Sequence, residues 1–264
     1  MALFRSFFET TDTGIRFLEF DTFVKVLTND NFIRSIFTVL KLSIIITITQ
    51  IVISFLFANA LVKINKKLSV VSRTLIYLPN LISGIVVSVI FTMLTTYNGG
   101  IINSILESLG GSPIAFNNDV TWSPISIIVP SIWIGFGYFS LVMYAGIINI
   151  PKTYFEAAEV DGASFIKKMW YITIPMMKNY FILLLVTMIV VNLQMFEIPM
   201  IMTGGQPANQ TLTPVLYLVY SRSNGNITDT EITTSAILIM IIIVIFNSSI
   251  FYLFKNKKGR EWEM

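Results

Sequence analysis

The sequence predicts an all-α polytopic membrane protein with five transmembrane helices. Three observations carry that prediction. The 264 residues are 54% hydrophobic and only 12% charged, with a mean hydropathy of +0.74, against roughly 25% charged residues in soluble domains. Five segments, about 35–62, 74–97, 123–148, 179–202 and 232–254, are apolar over the ~20 residues that a spanning helix needs. Lysine and arginine are concentrated in alternate connections, as they are when cytoplasmic loops retain them.

Taken in order, residues 1–34 form an extracytoplasmic N-terminal segment. Arg5, Arg16, Lys25 and Arg34 make it an unusual one to translocate, and "MALFRSFFET" has no apolar stretch followed by a cleavage site. Residues 35–254 form the transmembrane domain. The connection after the first span holds Lys63, Lys66, Lys67 and Arg73, and that after the third holds Lys152, Lys167, Lys168 and Lys178. Both are expected in the cytoplasm. The loop at 98–122 has no basic residue and that at 203–231 has only Arg222, so both are expected outside. A basic tail, 255–264, with Lys255, Lys257, Lys258 and Arg260, places the C-terminus in the cytoplasm.

Composition also excludes functions. There is no cysteine and no histidine, which removes disulfides, thiolate sites and the commonest general base and metal ligand. No GxxxxGK[ST] string occurs, so the chain has no phosphate-cradling loop of that kind. A formal charge of +3 is too small and dispersed for nucleic acid. The chain is expected to catalyse no covalent chemistry and to hold no metal or cofactor.

Polarity returns at residues 149–175, "NIPKTYFEAAEVDGASFIKKMWYITIP". Asn149 suits an N-cap, Pro151 a first helical position, and a helix over about 151–160 follows. Gly162 suits the left-handed residue that ends it, Ser164 caps a second short helix, and Pro175 marks a break before the next span. Two readings of this loop remain open on the residues alone. It is an amphipathic helix on the bilayer surface, or a docking surface. Surface-lying helices carry bulky apolar anchors and a basic face, whereas this one is acidic, with Glu156 and Glu159, and presents Ala157 and Ala158.

The pattern Glu156-Ala157-Ala158, Asp161-Gly162-Ala163 and Ile172-x-x-Pro175 resembles the EAA signature of permease subunits in binding-protein-dependent ABC importers. The resemblance implies the type I permease fold, in which this loop, 149–178, is the coupling helix that fits a groove on an ATPase subunit. Coupling would fall to Glu156, Ala157, Ala158, Asp161, Gly162 and Ala163. "GGIINSILESLG" resembles the outer-loop pattern of carbohydrate importers at Gly100, Ile102, Asn103 and Leu106. "MTGGQP" resembles a segment of the maltose-type first permease at Met202, Thr203, Gly204, Gly205 and Pro207, with Gln206 as an extra residue. The Tyr-Gly-x-Ala stretch usual before the last span is replaced by "DTEITTSAI". Such permeases carry a further span ahead of the region matched, and its absence from this sequence would explain an outside N-terminus. The resemblance further implies a second permease subunit, two ATPase subunits that bind ATP and Mg, an extracytoplasmic solute-binding protein, a carbohydrate substrate and a bacterial-type inner membrane.

Polar residues inside spans are costly and often line a path, although Ser, Gly and Asn also serve helix packing. Helical spacing puts Asn80, Gly84 and Val87 on one face of the second span and Ser131, Gly135 and Tyr138 on one face of the third. In the fourth, Gln194 and Glu197 lie three apart, with Asn192 near mid-membrane. Amides, a hydroxyl and an aromatic body suit an uncharged, hydroxyl-rich solute. The resemblance places sugar contacts at or near Asn80, Gly84, Ser131, Gly135, Tyr138 and Gln194. Glu197 is expected near the outer headgroups, with a partner subunit or a solute as alternatives. Competing functions are an ion-coupled secondary transporter, for which no repeat and only one candidate carboxylate are present, a permease for a non-sugar solute, and a membrane scaffold, which would leave the polar faces unexplained.

The orientation is testable because the chain has no cysteine. Asn117→Cys is expected to react with a membrane-impermeant thiol reagent from the extracytoplasmic side. Reaction from the cytoplasmic side alone contradicts the assignment.

Overall fold

The computed structural model describes residues 8–11, 14–17, 20–206, 210–223 and 228–255. A short antiparallel hairpin, β1 (Phe8–Thr11) and β2 (Gly14–Phe17), opens the chain. Helices follow: α1 (Asp21–Leu27), α2 (Asp30–Lys63) and α3 (Lys66–Tyr77). A 3₁₀ turn (Leu78–Leu81) leads to α4 (Gly84–Thr95), α5 (Ile101–Ser108) and α6 (Trp122–Ile148). Then come α7 (Lys152–Val160), α8 (Phe165–Met176), α9 (Lys178–Leu193), α10 (Glu197–Thr203), α11 (Pro214–Ser223) and α12 (Asp229–Lys255). Part of the 203–231 loop, Pro207, and the basic residues Arg5, Lys257, Lys258 and Arg260 lie outside the described residues.

Of the described helices, α2, α6 and α12 are continuous and apolar enough to cross a membrane. The other two spans are bent pairs. The axis of residues 66–81 meets that of α4 at 96°, and α8 meets α9 at 65°. The second span, expected as one helix over 74–97, is therefore broken. Pro79 draws the chain into the 3₁₀ turn, and Ser83, extended at ψ 148°, restarts it as the N-cap of α4. The fourth span, expected over 179–202, is interrupted at Gln194–Phe196. There the Gln194 and Met195 amides each bond three residues back, to Val191 and Asn192, and close the end of α9. Pro199 in α10 has no N–H to continue the ladder from Met195.

Helix α2 is the central mast. At about 1.5 Å per residue its 34 residues span about 51 Å, well beyond the ~30 Å of hydrocarbon. Asn29 caps it by accepting from the amides of Asn31 (3.0 Å) and Phe32 (3.2 Å). Its buried stripe recurs at three- and four-residue spacing through Ser35, Val39, Leu42, Ile46, Gln50, Ser54, Ala58 and Leu61. Its exposed face carries Phe37, Ile44, Ile48, Val52 and Leu56. The buried stripe mixes small and polar side chains (Ser35, Gln50, Ser54, Ala58), which let backbones approach, with apolar ones (Val39, Leu42, Ile46, Leu61), while the exposed residues from Ile44 to Leu56 are all apolar, as suits contact with lipid. Along that stripe α2 packs on α6 and α9, with Phe55, Phe139, Met143, Leu184 and Met188 in a shared core.

The connections on either side of α5 and before α12 are tied by side chains. Asn103 on α5 is 1% exposed. Its amide donates to the carbonyls of Thr96 (3.1 Å), Tyr97 (3.3 Å) and Ile114 (2.9 Å), and its Oδ1 accepts from the Ile114 amide (2.9 Å). The bare Cα of Gly100 lies too close to the Thr96 backbone for any side chain. Two members of the Gly-x-Ile-Asn pattern thus have local structural reasons. Where "DTEITTSAI" stands, Thr228 and Glu231 form a reciprocal capping box at the start of α12. The buried Glu231 also pairs with Lys25 of α1. Val26, Phe32, Leu216 and Ile239 pack beneath that pair.

Asn103→Leu removes the four bonds that Asn103 makes across the Thr96–Ile114 loop and leaves the Thr95–Asn117 contact in place. A loss of about 1–3 kcal/mol is expected, read as a lower thermal unfolding midpoint of the purified protein in detergent. An unchanged midpoint contradicts the structural role.

Candidate functional site

The loop between α6 and α9 carries the first candidate site. Asn149 does not cap α7, as its residue type suggested. It ends α6 in a helical conformation, and its amide donates to the Tyr180 hydroxyl at 3.0 Å. Pro151, extended at ψ 131°, takes the N-cap place instead of the first helical position. A proline is suited there because it has no N–H to leave unbonded.

The end of α7 is a Schellman motif. The Gly162 amide donates to Glu159 O (3.0 Å) and the Ala163 amide to Ala158 O (2.8 Å). Gly162 sits at φ +69° with nothing near the place a Cβ would occupy. Backbone handedness alone therefore requires glycine here. Ser164 then accepts from the Lys167 amide and caps α8. Glu159 is braced internally by Lys168, Nζ to Oε1 2.7 Å, and Lys63 lies 3.3 Å over the Phe165 ring. Phe155 anchors α7 to the core. Glu156, Ala157, Asp161 and Gly162 remain exposed, with Ala158 and Ala163 half-buried. Tyr154, Val160, Ile166 and Tyr171 add exposed apolar surface around them. Contiguous exposure of this kind marks an interaction surface, although in this chain lipid-facing residues are exposed too.

The second candidate site is a cavity of about 320 Å³ where the two broken spans meet α6. Ser131, Ile134 and Gly135 of α6 form one wall. Asn80 enters from the 3₁₀ turn, Gly84 from the first position of α4, and Met188, Val191 and Asn192 from α9. Gln194 to Glu197, the break between α9 and α10, closes one side. Five of the six path residues expected from sequence, Asn80, Gly84, Ser131, Gly135 and Gln194, thus surround one space. Tyr138 does not. It is half-buried against Phe55, Phe139 and Met143, one turn beyond the cavity wall. Val87 is fully buried in packing and does not line the cavity either, because the helix on which it was aligned with Asn80 is broken between them. Glu197 lines the cavity, and its carboxylate rests on the bare Cα of Gly84, where any Cβ would collide with it.

Gln50 of α2 was missed by sequence reasoning. It is 2% exposed and lines the cavity, with Nε2 donating to Ser131 O at 2.9 Å. Gly135 leaves room for that amide, since a Cβ there would strike it. The available signal was a lone amide inside "IIITITQIVISF", an intramembrane polar residue by position alone. Asn80 Nδ2 reaches Ile134 O at 3.4 Å, Ser131 Oγ donates to Ile127 O at 2.7 Å, and Asn192 Nδ2 donates to Thr47 Oγ1 at 3.0 Å. No cluster of metal-ligating side chains occurs among the described residues.

The sequence matches the family of binding-protein-dependent transport system inner membrane components over residues 50–259. The chain belongs to that family. Relatives within it include the sulfoquinovosyl glycerol transport permease SmoG of Agrobacterium fabrum, 35% identical over 49% of this chain and 42% of SmoG. The galactooligosaccharide transport permease GanP of Bacillus subtilis is 30% identical over 74% of this chain and 48% of GanP. The chain spans about half the length of these two relatives. It covers 80% of the trehalose/maltose transport permease MalF of Thermococcus litoralis, at 28% identity over 92% of this chain. A bacterial ABC transporter chain involved in import of the acidic polysaccharide alginate shares the fold, with a TM-score of 0.83 and 23% identity over 92% of this chain and 85% of that one. The permease family and fold inferred from the Glu156–Pro175 pattern are those found.

Gly162 offers a test of the first site. Gly162→Val puts a β-branched residue at positive φ, at a cost of about 1–3 kcal/mol to the local turn, while Gly162→Asn tolerates that conformation. Coupled ATPase activity of the assembled importer is expected to fall in the valine variant and to be retained in the asparagine variant. Equal activity in both contradicts a role for the turn.

Proposed function

We propose that this chain is the membrane-spanning permease of an ATP-driven importer and forms, with a second permease, the path for a neutral saccharide. The observation that carries the proposal is the cavity where two interrupted spans face α6. In hydrocarbon an interrupted helix is tolerated only against protein or a water-filled space. This space is lined by amides and hydroxyls set among apolar walls, the mixture that recognises a hydroxyl-rich solute. Carbohydrate solutes in the names of the relatives support the same class of cargo.

The proposed division of labour follows. The chain hydrolyses nothing itself. ATP and Mg are bound by two separate ATPase subunits, one of which receives the α7 surface of Glu156, Ala157, Ala158, Asp161, Gly162 and Ala163. ATP-driven approach of the ATPases moves that surface. Because α7 and α8 are anchored to α6 and α9 through Phe155, Ile172 and Ile174 in the common core, displacement is passed to the helices that bound the cavity. The cavity opens outward to a docked solute-binding protein, then inward after hydrolysis. In this arrangement the protein sits in the inner membrane with its C-terminus in the cytoplasm.

Glu197 in the cavity gives some support to a second reading, an ion-coupled carrier, since intramembrane carboxylates serve proton relays. Uptake measured in cells separates the two. Collapse on ATP depletion with an intact ion gradient supports the importer. Collapse on dissipating the gradient with ATP intact supports the carrier.

Gln194→Ala is expected to raise the apparent KM for saccharide uptake several-fold, the scale of one lost hydrogen bond of about 1 kcal/mol. Tyr138→Ala is expected to lower the amount of folded protein without changing KM. The opposite pattern, with KM sensitive to Tyr138 and indifferent to Gln194, places the path elsewhere.

A further inference from the structure

The polar groups of the cavity are not balanced between donors and acceptors. Gln50, Asn80, Ser131 and Asn192 each direct a donor back into the protein, onto Ser131 O, Ile134 O, Ile127 O and Thr47 Oγ1. The bond from Nε2 to the Ser131 carbonyl fixes the orientation of the Gln50 amide, because the reversed amide would set two acceptors against each other. Its Oε1 is then buried with no hydrogen-bond partner. That oxygen is enclosed by the protein, so the acceptor that the cavity itself presents is the carboxylate of Glu197.

Glu197 is a stronger acceptor than an amide oxygen. Among the described residues that line the cavity it is the sole ionisable one. No lysine or arginine among the described residues forms an ion pair with it, the salt bridges present being Lys25–Glu231 and Lys168–Glu159. Its position is built rather than incidental. Phe196, at φ −145°, turns the chain at the break so that Glu197 begins α10. Gly84 provides the side-chain-free surface on which the carboxylate lies. Met188, Ile134 and Ile198 form apolar parts of the wall, and a half-buried charge beside them acts over several ångströms with less screening than in bulk water.

We propose that Glu197 sets the charge specificity of this cavity: it admits uncharged solutes rich in hydrogen-bond donors and rejects anionic ones such as uronate-bearing saccharides. The inference rests on the reading of the cavity as the solute path. It assigns specificity to a residue that has no place among the six path positions expected from sequence.

The test reads the local potential directly. Ser131→Cys is introduced into this cysteine-free chain within the assembled importer, and the rates of modification by a cationic and an anionic methanethiosulfonate reagent are compared. The importer without the introduced cysteine supplies the background, and the same two reagents on a free small thiol supply the reference ratio. The cation-to-anion ratio is expected to exceed the reference by roughly tenfold, and Glu197→Gln in the same background is expected to return it to the reference. Gln194→Cys, on the exposed rim of the cavity, repeats the measurement if Ser131→Cys does not assemble. A ratio at or below the reference, or one that Glu197→Gln leaves unchanged, overturns the proposal. The first result means that a cation of the second permease neutralises Glu197. Absence of reaction with either reagent overturns it as well, since a space closed to both filters neither. Saccharide uptake plays no part in this readout. A failed charge ratio therefore leaves the saccharide path standing, and a failed KM shift for Gln194→Ala leaves the charge ratio standing.

Discussion

Inside a bilayer every backbone amide and carbonyl must find a partner within the protein, because hydrocarbon supplies none. That constraint governs where this chain is allowed to be irregular. Its continuous helices, α2, α6 and α12, present bulky apolar side chains to lipid. Its breaks at Ile82–Ser83 and Gln194–Phe196 are brought together on one face of α6. Neither break leaves its ends bare. Ser83 caps α4, the amides of Gln194 and Met195 fold back onto α9, and Asn80 reaches a carbonyl of α6. The cavity is the consequence of that arrangement, since two interrupted spans cannot fill the groove that two whole helices would.

The glycines of α6 make the convergence possible. Gly137 lets the backbone at Ile76–Tyr77 lie directly against α6, and Gly135 admits the Gln50 amide. A side chain at either position would push a neighbour outward and widen or collapse the site. In the loop between α6 and α9, the Schellman turn at Gly162 and the Glu159–Lys168 pair hold α7 and α8 as one piece, while Phe155 roots that piece in the core shared by α2, α6 and α9. The α7 surface and the cavity are thereby connected through packed side chains rather than through a flexible link.

Much of this was legible in the residues. Composition and long apolar runs located α2, α6 and α12, and the Glu156–Pro175 pattern identified the family and the helix–turn–helix, including the left-handed glycine. What was not legible has a common cause. Hydropathy sums side chains and is blind to φ and ψ, so an apolar run reads the same whether it is one helix or two meeting at 96°. A face argument built on an unbroken helix then failed for Val87. Tyr138 has the right spacing from Gly135, but its ring is drawn into the aromatic core beside Phe139. Gln50 was passed over because it is a lone amide among isoleucine, valine and threonine, and only the fold shows that α6 brings Ser131 to meet it. Asn149 looked like a cap for the following helix, although the same residue type equally ends the preceding one.

The central claim is that the interrupted spans and α6 enclose the solute path. The most direct measurement is an electron cryo-microscopy structure of the assembled importer trapped with a saccharide in transit. The account predicts ligand density between Asn80, Ser131, Gln194 and Glu197, with hydroxyl groups of the solute toward the Glu197 carboxylate. Density for the solute elsewhere, with this space filled by side chains of the second permease or by lipid, would contradict it.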